Sequence, residues 1–326
     1  MGLLGLGLAL VLVCALSIAV GSRSIGLSSV VDALAGELPD STEQTVVRDI
    51  RVPRTLLGLV VGAALGLAGA LLQRVTRNPL ADPSIMGLSA GAAAFVVLGI
   101  SVLGVSALSG YVWLAFAGTA AAAALVYGIA SRGRDGATPV KLALAGAAVA
   151  AGLWSLTAGV LMTDVDALDE LRFWQVGSLA GRNMPVFLQV LPFIAVGLAL
   201  ALLCGRVLNV LALGDDAARA LGHRVELTRG YVLLAVTVLC GAATAACGPI
   251  VFVGLVVPHI ARAICGPDYR WILPYCLVLS PLIFLAADVV GRLVLAPGEL
   301  EVGVVLGVLG APFFIALVRY GELARL

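Results

Sequence analysis

The chain has 326 residues, 61% of them hydrophobic and 12% charged, with a mean hydropathy of +1.10 and a formal net charge of +1. That balance excludes an ordinary soluble domain. It specifies an all-α integral membrane protein, because backbone amides in lipid must be satisfied within the segment itself, and about 20 apolar residues in a helix cross the ~30 Å hydrocarbon core.

Taken in chain order, ten apolar runs predict transmembrane helices near 3–20, 55–73, 86–104, 111–130, 140–162, 186–204, 231–247, 249–264, 271–290 and 303–319, within one transmembrane domain spanning 1–326. The first run has no basic residue ahead of it and no small-residue cleavage pattern behind it, so it reads as a span and not a signal peptide. In the second, Gly58, Gly62 and Gly66 fall four apart, which leaves one helix face bare for close approach by a neighbour. After it comes "LQRVTRNPLADPSIMGLSAGA", where Pro79 and Pro83 stop the helix and imply a short ordered turn. The block "CGPIVFVGLVVPHIAR" carries Pro249 and Pro258; two short helices are preferred there over one kinked helix, because an even number of spans suits the charge distribution.

That distribution also sets the orientation. With ten spans, thirteen of the twenty Lys and Arg residues fall in the even-numbered loops and the C-terminus, and seven in the odd-numbered loops. Even loops and both termini are therefore expected in the cytoplasm, in a multi-pass protein of the cytoplasmic membrane.

The longest even loop, about 205–230, holds the most polar stretch of the chain, "LGDDAARALGHRVEL". Asp215 can cap a helix from Asp216 to Leu221, and Gly222 can end it in a left-handed turn. Two turns with Ala217, Ala220 and Leu221 as the apolar face bury too little to hold a bilayer surface. A groove on another protein suits the segment better, with a passive solvated loop as the alternative.

Other chemistry is limited. Two histidines and six cysteines without C-x-x-C spacing do not suggest a metal or haem site, and no cofactor is expected. Lys141 is the sole lysine and stands in "ATPVKLA", so no phosphate-cradling Walker loop exists; if transport is ATP-driven, ATP and Mg are bound by a separate polypeptide. Asp288 lies inside the ninth run with Arg292 one turn later, on the same helix face. An intramembrane ion pair, a place on a transport path and proton coupling are the three readings of that acid.

Six stretches, "RVPRTL", "QRVTRNPLADPSIMG", "RFWQVGSL", "LGDDAARALG", "GPIVFVGLVVPHIAR" and "ELEVGVVLGVLGAPFF", occur in this order from about residue 45 onward. In sequence and spacing they resemble the iron-siderophore, haem and vitamin B12 permeases of bacterial ABC importers. "DELRFWQVGSLAGRN" and "PGELEVGVVLGVLGAP" are most similar to the ferric-enterobactin permease subunits.

The resemblance implies a cobalamin-importer-like fold of ten helices, paired with a second permease subunit, a sibling or itself. It further implies two cytoplasmic ATPase subunits, an extracytoplasmic siderophore-binding protein and a ferric siderophore as cargo, with no nucleic acid and no catalysis by this chain. Haem and cobalamin remain alternative cargoes, and an ion-coupled secondary carrier centred on Asp288 is the rival from another class.

By motif match, Leu213, Gly214, Asp215, Asp216, Ala217, Arg219, Ala220, Leu221 and Gly222 form the ATPase-coupling element. Arg51, Arg54 and Arg292 match arginines that dock the binding protein, with headgroup anchoring the alternative for the first two. Asn78 and Leu80, then Pro139 and Val140, match the cytoplasmic gate, although the second pair departs from the small hydroxyl residues of the cobalamin relative and Pro139 can equally start a span. Glu301 stands where most relatives have proline.

Overall fold

Among the described residues, seven helices are long and apolar enough to cross a membrane, and three shorter apolar helices join them, at the positions of the ten apolar runs. The computed structural model describes residues 2–22, 25–35, 41–84, 86–105, 108–132 and 138–319, and no strand occurs among them. Arg23, Arg134 and Arg325, which enter the charge count above, lie outside the described residues.

In order, the elements are α1 (Gly2–Ala19), α2 (Leu27–Ala35), α3 (Thr42–Thr45), a π-helical turn (Val46–Arg51), α4 (Val52–Thr76), α5 (Leu88–Leu103), α6 (Leu108–Ala130), α7 (Pro139–Leu161) and α8 (Val165–Gln175). There follow α9 (Met184–Leu203), α10 (Gly205–Ala212), α11 (Asp215–Ala220), α12 (Val225–Cys247), α13 (Val253–Cys265), α14 (Tyr269–Val294) and α15 (Val302–Arg319).

The bundle is built around α4. Of its most apolar stretch 83% is buried, against 6% for α1, which lies at the periphery with Leu4, Leu8, Val11, Leu12 and Leu16 turned outward. α14, α12, α13 and α9 pack on α4. The bare face predicted from Gly58, Gly62 and Gly66 lies against α14: a Cβ placed on Gly62 would stand 2.7 Å from the backbone Cα of Pro281. Gly69, one turn further on, abuts the backbone of α13 at Gly254. With no hydrophobic drive between helices in lipid, such close approach supplies the dispersion contacts that hold them together.

The block containing Pro249 and Pro258 is two helices, as expected, separated by a turn over 248–252 in which Gly248 (φ +79°) and Phe252 (φ +70°) are left-handed. Ser178 N–H donates to the Cys247 carbonyl at 2.7 Å, so the segment after α8 closes the end of α12. Pro258 stays inside α13.

The short helices α2, α3, α8 and α10 have no counterpart among the ten predicted runs. α10 buries Leu208 and Leu211, and its Asn209 is bonded both to the Asp268 carboxylate, at 2.6 Å, and to Tyr269 N–H, at 2.9 Å, which fixes it to the start of α14.

Candidate functional site

Three groups of residues stand at different levels of the bundle: a polar knot at α11, a cleft in the middle, and an ion-paired cluster at the opposite end. At α11 the helix begins one residue earlier than expected. Asp215 is its first helical residue, Gly214 (φ +104°) holds the cap position, and no side-chain cap forms. The Asp215 carboxylate is used otherwise: it accepts from Arg77 Nη2 at 2.5 Å and from Arg229 Nη2 at 3.0 Å.

The far end of α11 follows the expectation. Gly222 is left-handed (φ +84°), its N–H donates to Arg219 O at 2.9 Å, and His223 N–H donates to Ala218 O at 3.0 Å, the paired bonds of a glycine helix stop. His223 thus has a backbone role there. Ala218 is the buried alanine of the helix, while Leu213 and Leu221 flank it at 64% and 61% exposure. Arg219 reaches both Glu226 (2.6 Å) and Asp216 (3.5 Å) across the outer surface of the knot.

Next to this knot lies the turn between α4 and α5. Arg77 ends α4 in the left-handed region (φ +49°), Asn78 N–H donates to Gln73 O at 3.2 Å, and the Asn78 side chain accepts from Leu80 N–H at 2.9 Å. Asn78 is exposed and Leu80 half-buried. Asp82 is buried and accepts from Ser84 N–H (2.9 Å) and Ser84 Oγ (2.6 Å); burial pushes its carboxyl up and those two bonds only partly offset the shift. Pro139 is the first residue of α7, with Thr138 Oγ1 accepting from Lys141 N–H at 3.4 Å, which is the span-starting geometry named as its alternative role. Val140 beside it is exposed.

Sequence spacing gave no hint of a second tie behind the turn. Arg262 of α13 donates to Gln73 Oε1 at 2.5 Å, and Gln73 Nε2 in turn donates to the Gly254 and Leu255 carbonyls at 3.1 and 3.2 Å.

A cleft of about 400 Å³ occupies the middle level, lined by Ser84, Ser89, Trp154, Gln175, Val176, Pro249, Val251 and Gly303. Its walls come from the α4–α5 turn, α5, α7, the end of α8, the α12–α13 turn and the start of α15. Among the described residues, no ionisable side chain lines it.

At the opposite end from α11, Asp288 lies fully buried between two guanidiniums. The expected pair with Arg292 is present at 3.0 Å, and Arg54 adds a second partner at 2.8 Å while also reaching Glu299 at 2.7 Å. Arg292 Nη1 donates to the Ser17 and Val20 carbonyls at 2.9 and 2.8 Å, and Arg51 Nη1 to those of Ile18 and Ala19 at 2.9 and 2.6 Å. These are carbonyls at the C-terminal end of α1, which lack helical partners and carry the negative end of the helix dipole.

Arg51, Arg54 and Arg292, the residues matched to docking arginines, are 4%, 4% and 1% exposed and turned inward onto α1 and Asp288. Glu299, outside the spans, is desolvated, yet the bonds from Arg54 and from Ser22 Oγ (2.9 Å) outweigh that and hold its carboxyl below the usual range. Glu301 also acquires a physical role, since Ser178 Oγ donates to its carboxylate and joins the start of α15 to the segment after α8.

Comparison with known proteins places this geometry. The model of the FecCD transport family matches residues 9–320. The chain is 49% identical to the ferric enterobactin transport system permease protein FepD of Escherichia coli (strain K12), over 97% of this chain and 94% of that one. It is 39% identical to the cobalamin import system permease protein BtuC of Halobacterium salinarum, over 87% and 76% of the two chains. Among solved structures, a chain from an ABC transporter described as of metal-chelate type, in an inward-facing conformation, superposes with a TM-score of 0.87 at 28% identity, covering 98% of each. The ten-helix arrangement, the six ordered motifs and these likenesses lead to one conclusion: the chain belongs to the FecCD transport family.

Proposed function

We propose that this chain is the membrane permease subunit of an ATP-driven importer that carries a ferric siderophore of the catecholate type across the cytoplasmic membrane. The observation that carries this reading is the 49% identity to a ferric enterobactin permease along nearly the whole chain. The cleft supports it, because its described lining of serine, glutamine, glycine and apolar side chains holds a cargo weakly and lets it leave.

The chain itself carries out no chemistry. ATP and Mg are bound by two cytoplasmic ATPase subunits that grip α11 through Leu213 and Leu221, a second permease subunit completes the path, and a binding protein delivers cargo on the outer side. The arginine bias supports cytoplasmic termini. Asn78 and Leu80 narrow the path at its cytoplasmic end; Pro139 and Val140 stand at the start of α7 on the same side. Docking by Arg51, Arg54 and Arg292 requires acids of the binding protein to compete with Glu299 and the α1 carbonyls for them, so it belongs to an opened state of the outer mouth.

A haem or cobalamin cargo is the second reading, kept by the cobalamin-permease likeness. A proton-coupled carrier fits less well, since Asp288 is held by two guanidiniums. The cargo is tested by competition in vesicles containing the assembled importer. Unlabelled ferric catecholates should displace uptake of radio-iron ferric enterobactin, and ferric hydroxamates, haem and cobalamin should not; displacement by haem or cobalamin alone would replace the assignment.

A further inference from the structure

The coupling helix is fastened to the bundle through its first residue. One carboxylate, that of Asp215, receives Arg229 from α12 with two bonds of 3.0 Å and Arg77 from the end of α4 with one of 2.5 Å. Arg229 is nearly buried, whereas the Arg77 side chain is 39% exposed. The Arg229 contact joins α11 to the helix that follows it within a few residues. The Arg77 contact joins it to a segment 138 residues away in sequence.

The backbone at Arg77 makes this contact unusual. Arg77 N–H donates to Arg74 O and Asn78 N–H to Gln73 O, the same paired bonds by which Gly222 ends α11. That position demands a left-handed residue, which glycine adopts freely and a β-carbon disfavours. Here it is filled by an arginine at φ +49°, so the conformational cost accompanies a side chain that reaches the coupling helix. The next residue, Asn78, braces Leu80 N–H with its own side chain. A pull on Arg77 is thus a pull on the Asn78–Leu80 turn.

We propose that Arg77 is a positioning residue that, through Asp215, transmits displacement of α11 to the turn bearing Asn78 and Leu80, so that motion of the ATPases opens and closes the cytoplasmic end of the path. This rests on the reading of the chain as an ATP-driven permease. Two-site coupling of this kind needs a physical element that both sites bias, and the charge-assisted Arg77–Asp215–Arg229 bridge is such an element.

The test uses the assembled importer in vesicles, with radio-iron ferric enterobactin as probe, and reads iron moved per ATP hydrolysed. Arg77→Gly removes the bridge while tolerating the left-handed backbone of this position. Its complex should assemble with the ATPases and hydrolyse ATP, yet move about 5-fold less iron per ATP or worse, the lower end of typical coupling between sites. Arg77→Lys keeps the charge and should restore most of the ratio. If Arg77→Gly assembles poorly, Arg77→Gln in the same assay decides by the same ratio. ATP-dependent wild-type uptake together with an unchanged ratio in the Gly or Gln variant overturns the inference alone; wild-type complexes without ATP-dependent uptake overturn the functional reading and this inference with it.

Discussion

Asp288 shows how a charge persists in a lipid-embedded bundle. Desolvating a carboxylate and two guanidiniums is costly, and their mutual attraction compensates only where hydrogen bonds satisfy the remaining donors. Arg54 spends its donors on Asp288 and Glu299, and Arg292 turns its two terminal nitrogens to Asp288 and the end of α1, its buried Nε finding no acceptor among the described residues. Asp288→Ala would leave both arginines buried without their shared anion, and a loss of about 3–5 kcal/mol of stability is expected, read as a lowered thermal midpoint and yield in detergent. Glu299 adds a pH dependence. Its folded-state affinity for protons is below the usual 4.5, so its contribution is complete above that value and is lost as pH falls through the lower folded value. Thermal midpoints should fall on acidification, and Glu299→Gln should flatten that limb of the profile; an identical acid limb in the variant would contradict the pairing with Arg54.

At the scale of elements, packing is decided by what is missing as much as by what is present. Gly62 lets the backbone of α14 approach at Pro281, and any side chain there meets main-chain atoms that cannot swing aside. Gly62→Val is expected to destabilise by about 1–3 kcal/mol, the usual cost of overpacking, or to force a shift of α14 visible as a change in cross-linking between the two helices. The stripe Gly58, Gly62, Gly66 was legible in the sequence because helical periodicity is local, and so were the ten spans, since an apolar run announces its own length. α2, α3, α8 and α10 were not legible, because they are short, mixed in polarity, and stabilised by contacts such as Asn209 with Asp268. The i, i+4 pair of Asp288 with Arg292 could be read directly, but Arg54, 234 residues away, could not. Asp215 was assigned to a cap on local grounds; two arginines, one 14 and the other 138 residues away, took its carboxylate instead.

For the whole molecule, the polar knot at α11, the cleft and the ion-paired cluster at the opposite end lie in sequence along the bundle, and each suits one step of the proposed movement of cargo. Leu213 and Leu221 present apolar area that nothing among the described residues covers, and burying such a side chain against a partner contributes about 1.5–3 kcal/mol. Replacing Ala217 and Leu221 together with glutamate should abolish copurification of the ATPase; intact copurification would remove α11 as the docking element. Entry of energy through a separate ATPase is tested by uptake of radio-iron ferric enterobactin into vesicles holding the complete importer, with and without ATP and an ionophore. Uptake should require ATP and the ATPase and survive collapse of the ion gradient. Uptake by the permease alone, driven by the gradient and abolished by the ionophore, would contradict it.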